Sequence, residues 1–577
     1  MLTLENFEKL SLSPVATKPV ALQMIGEKGE KLAGWAASLP LKDKHEQYRQ
    51  VKSVLGELIV ADIDDELRFT MLETVIAVMG KLVSQMHAEY INNPQSPPHE
   101  QKACVEEVRS LYMLSILAYQ GIAFRSHKAM SAEGLPEAAS TDNKTKKTSW
   151  LSKITGNFSG NVVRNGISLD VVSGSKRLFV LSTHRVMIKC YKLLMEFALT
   201  YQKVPSSLWW IMNSWYLKAA VAGVDKLSVD KLLTGAPECS IYRQYLQSCL
   251  ASTVNLFAYR RHDILNIFKI LPDWVAYVKT TFTADSTLRL FVNLQANTPP
   301  EMITPYASIN PYSSDYVCLF FDPAVLFEHL QKVERGEEEG ISVFEKRLAS
   351  IVLMTFKRHL EQSGEGRVRN QSAEVLAGFG AVFKEIAAGK NFAQVITQSK
   401  LPEPYLPKRS FEGVITQKEA VKLIRRSETG AQFLMGASAE NDDEAVLSRP
   451  YLPVFGLFAM KSLQSTNKHP WRLGIVHWSQ STDEHIEVDG RFLGRLLSVC
   501  GIRLNGRDMR SKDFVPALLV AGDGLNQQTT LILPKYHFKE GDTVILRVEQ
   551  KETTLRLEQN LLATDDIEQY QIVRLTG

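Results

Sequence analysis

The sequence predicts an α+β chain of several domains, an all-helical N-terminal scaffold followed by two small β-barrel modules. Three observations carry that expectation. The chain has 577 residues, more than one hydrophobic core holds. Apolar residues recur at spacings of three and four through most of residues 4–280. From Arg367 onward the period is mostly two, with turn residues between short runs. Hydrophobic content of 45% and charged content of 23% are ordinary globular values, and a net charge of +4 is too weak to argue for a nucleic-acid or membrane surface.

The elements follow in order. Glu46 to Asn92 and Val105 to Phe124 are helical runs separated by Pro94, Pro97 and Pro98, and residues 1–125 form an N-terminal helical domain. Residues 126–160 are polar, with lysines around Thr141 to Thr148, and read as a flexible linker. A second helical domain takes residues 161–287. In it Met187, Cys190, Tyr191, Leu194, Phe197 and Tyr201 mark one buried helix face. Pro205-Ser-Ser starts a helix whose Trp209, Trp210 and Trp215 read as core packing rather than a ligand box. Cys239 to Phe257 and Arg260 to Thr280 are a further helix pair. Residues 288–365 are a mixed α/β connection, with strands near Leu288 to Leu294 and Tyr316 to Phe321 and helices over Pro323 to Glu334 and Val343 to His359. Glu361 to Gly366 is a break and a candidate hinge. A first β-barrel takes residues 366–500, with strands at Ala373 to Phe383, Val421 to Ile424, Ala431 to Met435, Phe455 to Met460, Gly474 to Trp478 and Glu484 to Val488. A second β module takes residues 501–577, its best strands Thr530 to Leu533, Thr543 to Val548 and Thr554 to Glu558, with a turn at Lys539-Glu-Gly541-Asp542.

Enzyme signals are missing from the sequence. There is no phosphate-binding Gly-x-x-x-x-Gly-Lys-Ser/Thr loop, no Gly-x-Ser-x-Gly elbow and no His-Glu-x-x-His. The six cysteines form no Cys-x-x-Cys pair, so neither a disulfide framework nor a zinc site is expected. No signal peptide and no membrane span of ~18 apolar residues is read, which makes a cytoplasmic location the expectation. What remains is a set of arginines around one turn, Arg425-Arg426-Ser427-Glu-Thr-Gly430, with Arg367-Val-Arg369 upstream. Guanidinium groups bind phosphate in bidentate fashion and stack on purines. The same arginines also read as solvated charges that guard an edge strand.

Those residues resemble a PilZ-type domain, the bacterial cyclic-di-GMP receptor module. The resemblance rests on Arg367-x-Arg369, Ser427-x-x-Gly430 and Gly474-Ile-Val-His-Trp478. The helical half, with its segments Pro205 to Ala219 and Phe291 to Pro300, is similar to the long multidomain PilZ-type proteins of proteobacteria. The resemblance implies that Arg367, Arg369, Ser427 and Gly430 contact cyclic di-GMP, with Arg425 and Arg426 as local candidates for phosphate or guanine contacts. It implies a non-enzymatic effector without cofactor or metal, acting through a protein partner in surface attachment, type IV pili or motility. The alternative is an interaction scaffold whose barrel has lost the nucleotide. Arg425, which stands where the pattern has Asp or Asn, favours that alternative.

Overall fold

The computed structural model describes residues 2–91, 98–132, 174–229, 239–283, 290–303, 308–342, 345–353, 367–397, 418–436, 452–463, 471–481, 485–506, 513–522, 528–535, 537–564 and 566–575, with backbone alone at 98–100 and 367–370. The N-terminal part is helical and the C-terminal part holds two closed six-stranded barrels. The chain divides into two compact units, Met1–Leu256 with Arg260–Leu360, and Glu361–Gly577 with Phe257–Tyr259.

In the first unit, short helices α1 (Leu4–Ser11) and α2 (Leu32–Ser38) precede long ones: α3 (Lys44–Val60), α4 (Asp65–Tyr90), α5 (Pro98–Ala132) and α6 (Gly174–Leu199). Local chemistry sets the breaks. The Asp43 side chain accepts from Glu46 N at the start of α3, and Asp64 accepts from Glu66 N and Leu67 N at the start of α4. The expected single run from Glu46 to Asn92 is therefore two helices, split at Ala61 to Asp64. Buried Arg68 fills that corner, donating to the carbonyls of Leu58, Ala61 and Ile63. Helix α5 runs on to Ala132, past the expected linker start at residue 126, because Ser126 and Met130 extend its buried face. The rest of that linker lies outside the described residues.

Helices α7 (Ser206–Val221), α8 (Ile241–Thr253) and α9 (Arg261–Trp274) complete the bundle. Trp209 and Trp215 are buried, Trp215 edge-on to Phe124 at 4.7 Å, while Trp210 is exposed. Two of the three tryptophans are thus core. Asn213 of α7 accepts from the Tyr245 hydroxyl at 2.7 Å and donates to the carbonyls of Ala296 (2.9 Å) and Thr298 (3.1 Å). One buried amide thereby pins the proline-rich loop onto the tryptophan helix. A small antiparallel sheet follows, ordered β1 (Lys279–Thr281), β4 (Cys318–Asp322), β2 (Leu290–Asn293), β3 (Glu301–Met302), then α10 (Ala324–Arg335). Gly336, at φ 73°, ends α10. Residues 345–353 are helical, and the remainder of the helix expected up to His359 lies outside the described residues.

The first barrel of the second unit is β5 (Arg367–Ala377), β6 (Glu419–Arg426), β7 (Gly430–Met435), β8 (Leu457–Ser462), β9 (Trp471–Ser481) and β10 (Ile486–Gly494), closed in the order β10-β7-β6-β5-β8-β9. The expected strand through Gly378 to Phe383 is instead a helix, α11 (Phe379–Ile386), followed by α12 (Phe392–Thr397). Gly378 adopts φ 85° and turns the chain there. The second barrel is β11 (Leu496–Leu504), β12 (Val515–Ala521), β13 (Thr530–Pro534), β14 (Thr543–Val548), β15 (Lys551–Ala563) and β16 (Ile567–Arg574), closed in the order β11-β12-β13-β16-β15-β14. Its Lys539 to Asp542 turn is closed by Asp542 N donating to Lys539 O at 3.1 Å. Each barrel has its own interior core. A third core joins them, with Phe379, Phe383, Phe392 and Val395 packed between Trp471 and Leu473 of the first barrel and Leu518, Val520 and Ile567 of the second.

Candidate functional site

Antiparallel register gathers the arginines at one end of the first barrel. Arg367 at the start of β5 pairs with Arg425 at the end of β6, and Arg425 pairs with Gln432 near the start of β7. Gly430 pairs with Arg491 near the end of β10, and Phe492 pairs with Gly474 near the start of β9. Arg369 lies two residues into β5, at the same end. Strand parity separates the faces. Arg426 pairs with Ala431 and Arg472 pairs with Met460, and both partners belong to the barrel interior. Arg425 and Arg491 pair instead with residues of outward parity. The mouth therefore carries Arg426 and Arg472 on its inner face and Arg425 and Arg491 on its outer one. Among the described residues, Arg425, Arg426 and Arg491 make no ion pair.

The turn between β6 and β7 is self-contained. Ser427 N donates to Gly430 O at 2.9 Å. Ser427 Oγ accepts from Gly430 N at 3.0 Å and from Thr429 N at 3.2 Å. The hydroxyl expected to face a ligand is thus engaged in holding the turn, and Gly430 is the first residue of β7 rather than the apex. Phe492 N donates to Thr429 O at 2.8 Å, which ties the turn to β10. His477 stands 3.4 Å from the buried carboxylate of Asp489, away from the turn. Gly474 has a packing role: a Cβ there would lie 2.6 Å from the Phe458 ring. Arg472 and Arg491 complete the ring of cations and were not singled out in the sequence, because each is more than forty residues from the Arg425-Arg426 pair. The interior parity shared by Arg472, Gly474 and Val476 is the signal that could have found the first of them.

An end to which four strands bring arginine residues, above an apolar interior, is suited to an anion with flat apolar parts. The sequence itself points the same way. Residues 30–285 match the family described as cyclic-di-GMP receptor FimW, N-terminal domain, and residues 500–575 match the FimW C-terminal beta-barrel domain, together more than half of the chain. The chain belongs to the FimW family of cyclic-di-GMP receptors. That membership fits the long multidomain receptor expected from the resemblance. The second barrel, β11 to β16, is the FimW C-terminal domain. The first barrel, with every candidate site residue, lies between the two matched stretches. No curated protein matches the chain. Among the described residues there is no group of three His, Cys, Asp or Glu side chains able to hold a metal ion, and no helix long and apolar enough to cross a membrane.

Proposed function

We propose that this chain is a non-enzymatic, cytoplasmic effector that binds cyclic di-GMP at the arginine-bearing mouth of its first barrel, a PilZ-like domain. The single observation that carries this reading is the strand register that sets Arg367 opposite Arg425, beside Arg426 and the Ser427 to Gly430 turn. Family membership supports the choice of ligand. In this reading Arg367, Arg369, Arg425 and Arg426 bind phosphate and guanine. Ser427 and Gly430 contribute by shaping the turn that lets the ligand approach. The helical unit engages a protein partner in surface attachment, type IV pilus function or motility, and the ligand favours one arrangement of that assembly.

Titration calorimetry with cyclic di-GMP tests this. The expected result is saturable binding at low micromolar or tighter, about −8 kcal/mol. Each charge-assisted hydrogen bond contributes ~1.5–3 kcal/mol, so Arg425→Ala with Arg426→Ala should abolish measurable heat. A double variant that binds like the wild type would remove the site. A wild-type chain that gives no heat and no ligand-induced rise in melting temperature would favour the scaffold alternative, to which the turn-bound Ser427 hydroxyl lends support.

A further inference from the structure

We propose that the helical unit carries a binding site for a guanine base, in the groove where α1, the start of α7 and the loop at residues 295–297 meet. The inference goes beyond the reading above and does not depend on it, since every residue lining the groove belongs to the first compact unit. The groove has a volume of ≈ 490 Å³, within the ~300–1,000 Å³ of small-molecule sites. Its walls are tied in place. Asn213 donates to the carbonyls of Ala296 and Thr298, which fixes the loop. Ser207 Oγ donates to Glu8 Oε1 at 2.9 Å, which joins α7 to α1.

The side chains in the groove choose the ligand. Trp210 lines it and is 40% exposed, while Trp209 and Trp215 of the same helix are buried. An indole left open in a groove offers its face to another flat ring. Ser207 and Trp210 are three residues apart and share one face of α7. The Glu8 carboxylate held by Ser207 therefore stands about one helical turn from the indole. Lys9 is paired with Glu5 at 2.6 Å on the exposed side of α1, and among the described residues Glu8 pairs with no cation. A carboxylate that has accepted one hydrogen bond keeps acceptor capacity on both oxygens. Guanine matches it, because its N1–H and N2–H donors lie side by side on one edge and meet the two oxygens together. Adenine places a single amino donor beside a ring acceptor and does not. Gln295 and Asn297 also line the groove and bring carboxamides, which are donors for the O6 and N7 acceptors of guanine. The base of guanosine monophosphate and either base of cyclic di-GMP present the same edge, so both are sources of this ligand.

Tryptophan emission of the full chain tests this, with guanosine monophosphate, cyclic di-GMP and adenosine monophosphate as probes. A guanine stacked on the exposed indole should quench emission saturably, and the adenine nucleotide should not. The quench should vanish in Trp210→Leu and should need roughly tenfold to a hundredfold more ligand in Glu8→Gln. Glutamine keeps an acceptor for the Ser207 hydroxyl, so the melting temperature of Glu8→Gln without ligand should be unchanged. A response to guanosine monophosphate alone would identify a mononucleotide site. A response to cyclic di-GMP that survives Arg425→Ala with Arg426→Ala would identify a second dinucleotide site, separate from the first barrel. An equal quench by the adenine nucleotide, a quench kept in Trp210→Leu, wild-type affinity in Glu8→Gln, or no quench by either guanine ligand would overturn the assignment. None of those results bears on the barrel reading, which the double arginine variant decides. Should Trp210→Leu fail to fold, photolabelling of the wild-type chain with azidoguanosine monophosphate and peptide mapping decides. Label should fall within Ser206 to Trp210 or Gln295 to Asn297, and label only elsewhere would overturn the site.

Discussion

Replacing Gly490 with alanine tests the interior of the first barrel directly below the mouth. A Cβ at Gly490 would lie 2.3 Å from Phe458 Cζ and 2.5 Å from Cε1, so the ring must move by more than 1 Å to reach ordinary contact. It has nowhere to go. Phe458 is fully buried, a Cβ at Gly474 would meet the same Cζ and Cε1 atoms, and Phe433 and Phe492 flank the ring at 5.8 and 6.3 Å between ring centres. Overpacking a tight core costs about 1–3 kcal/mol, and a ring held on three sides belongs at the upper end. The ceiling is expulsion of the ring, about 3–5 kcal/mol. A loss of ~3 kcal/mol lowers amide protection about a hundredfold where strand opening is measured. Hydrogen exchange resolved to β9 and β10 is the assay, since a chain of two units does not melt as one. Combining Gly490→Ala with Phe458→Leu should cost less than the two changes added separately, because the shorter side chain vacates the contested space. Protection within threefold of wild type in Gly490→Ala, or strict additivity in the pair, would refute the placement of the Phe458 ring against the two glycines.

Two further expectations concern the helical unit. Arg68 is buried, donates to three carbonyls and pairs with Asp65 at 3.1 Å. Arg68→Met strands those acceptors and should cost about 3–5 kcal/mol, seen as early melting of α3 and α4; a change below ~1 kcal/mol would contradict the corner. Burial pushes the Asp225 carboxyl up to about 6 from its ordinary 3.8. Between those values the folded chain binds more protons than the unfolded chain, so stability falls as pH rises through that window, by up to ~3 kcal/mol. The loss persists at neutral pH, and Asp225→Asn should flatten the slope and raise the melting temperature at pH 8. Parallel profiles for the two proteins would show that Asp225 is not buried as a charge.

The helices were legible through their periodicity. The caps Asp43, Asp64 and Ser240 were not used as signals, and so the break at Ala61 to Asp64 was missed. The small sheet was harder for a physical reason. β1 and β3 have three and two residues, too short for any period, whereas β2 and β4 overlap the strands expected near Leu288 to Leu294 and Tyr316 to Phe321. The run from Ala373 to Phe383 looked like one strand because its apolar residues continue without pause. Only the conformation of Gly378 divides it, and the helix beyond is apolar because it is packed between two barrels rather than against one.

The site divides in the same way. The Ser427 to Gly430 turn was readable because its hydrogen bonds close within four residues. The ring of arginines was not, because barrel closure, a property of the whole sheet, joins β6 to β9 and β10. One clue nevertheless survives in the local pattern. Along β9, Trp471, Leu473 and Ile475 share one face and Arg472, Gly474 and Val476 the other. Both faces are occupied by buried apolar residues, so neither parity offers a charge an ordinary place in water. An arginine on such a strand must sit at its end, where the barrel opens, and must meet an acceptor there. Arg472, the second residue of β9, sits at that end.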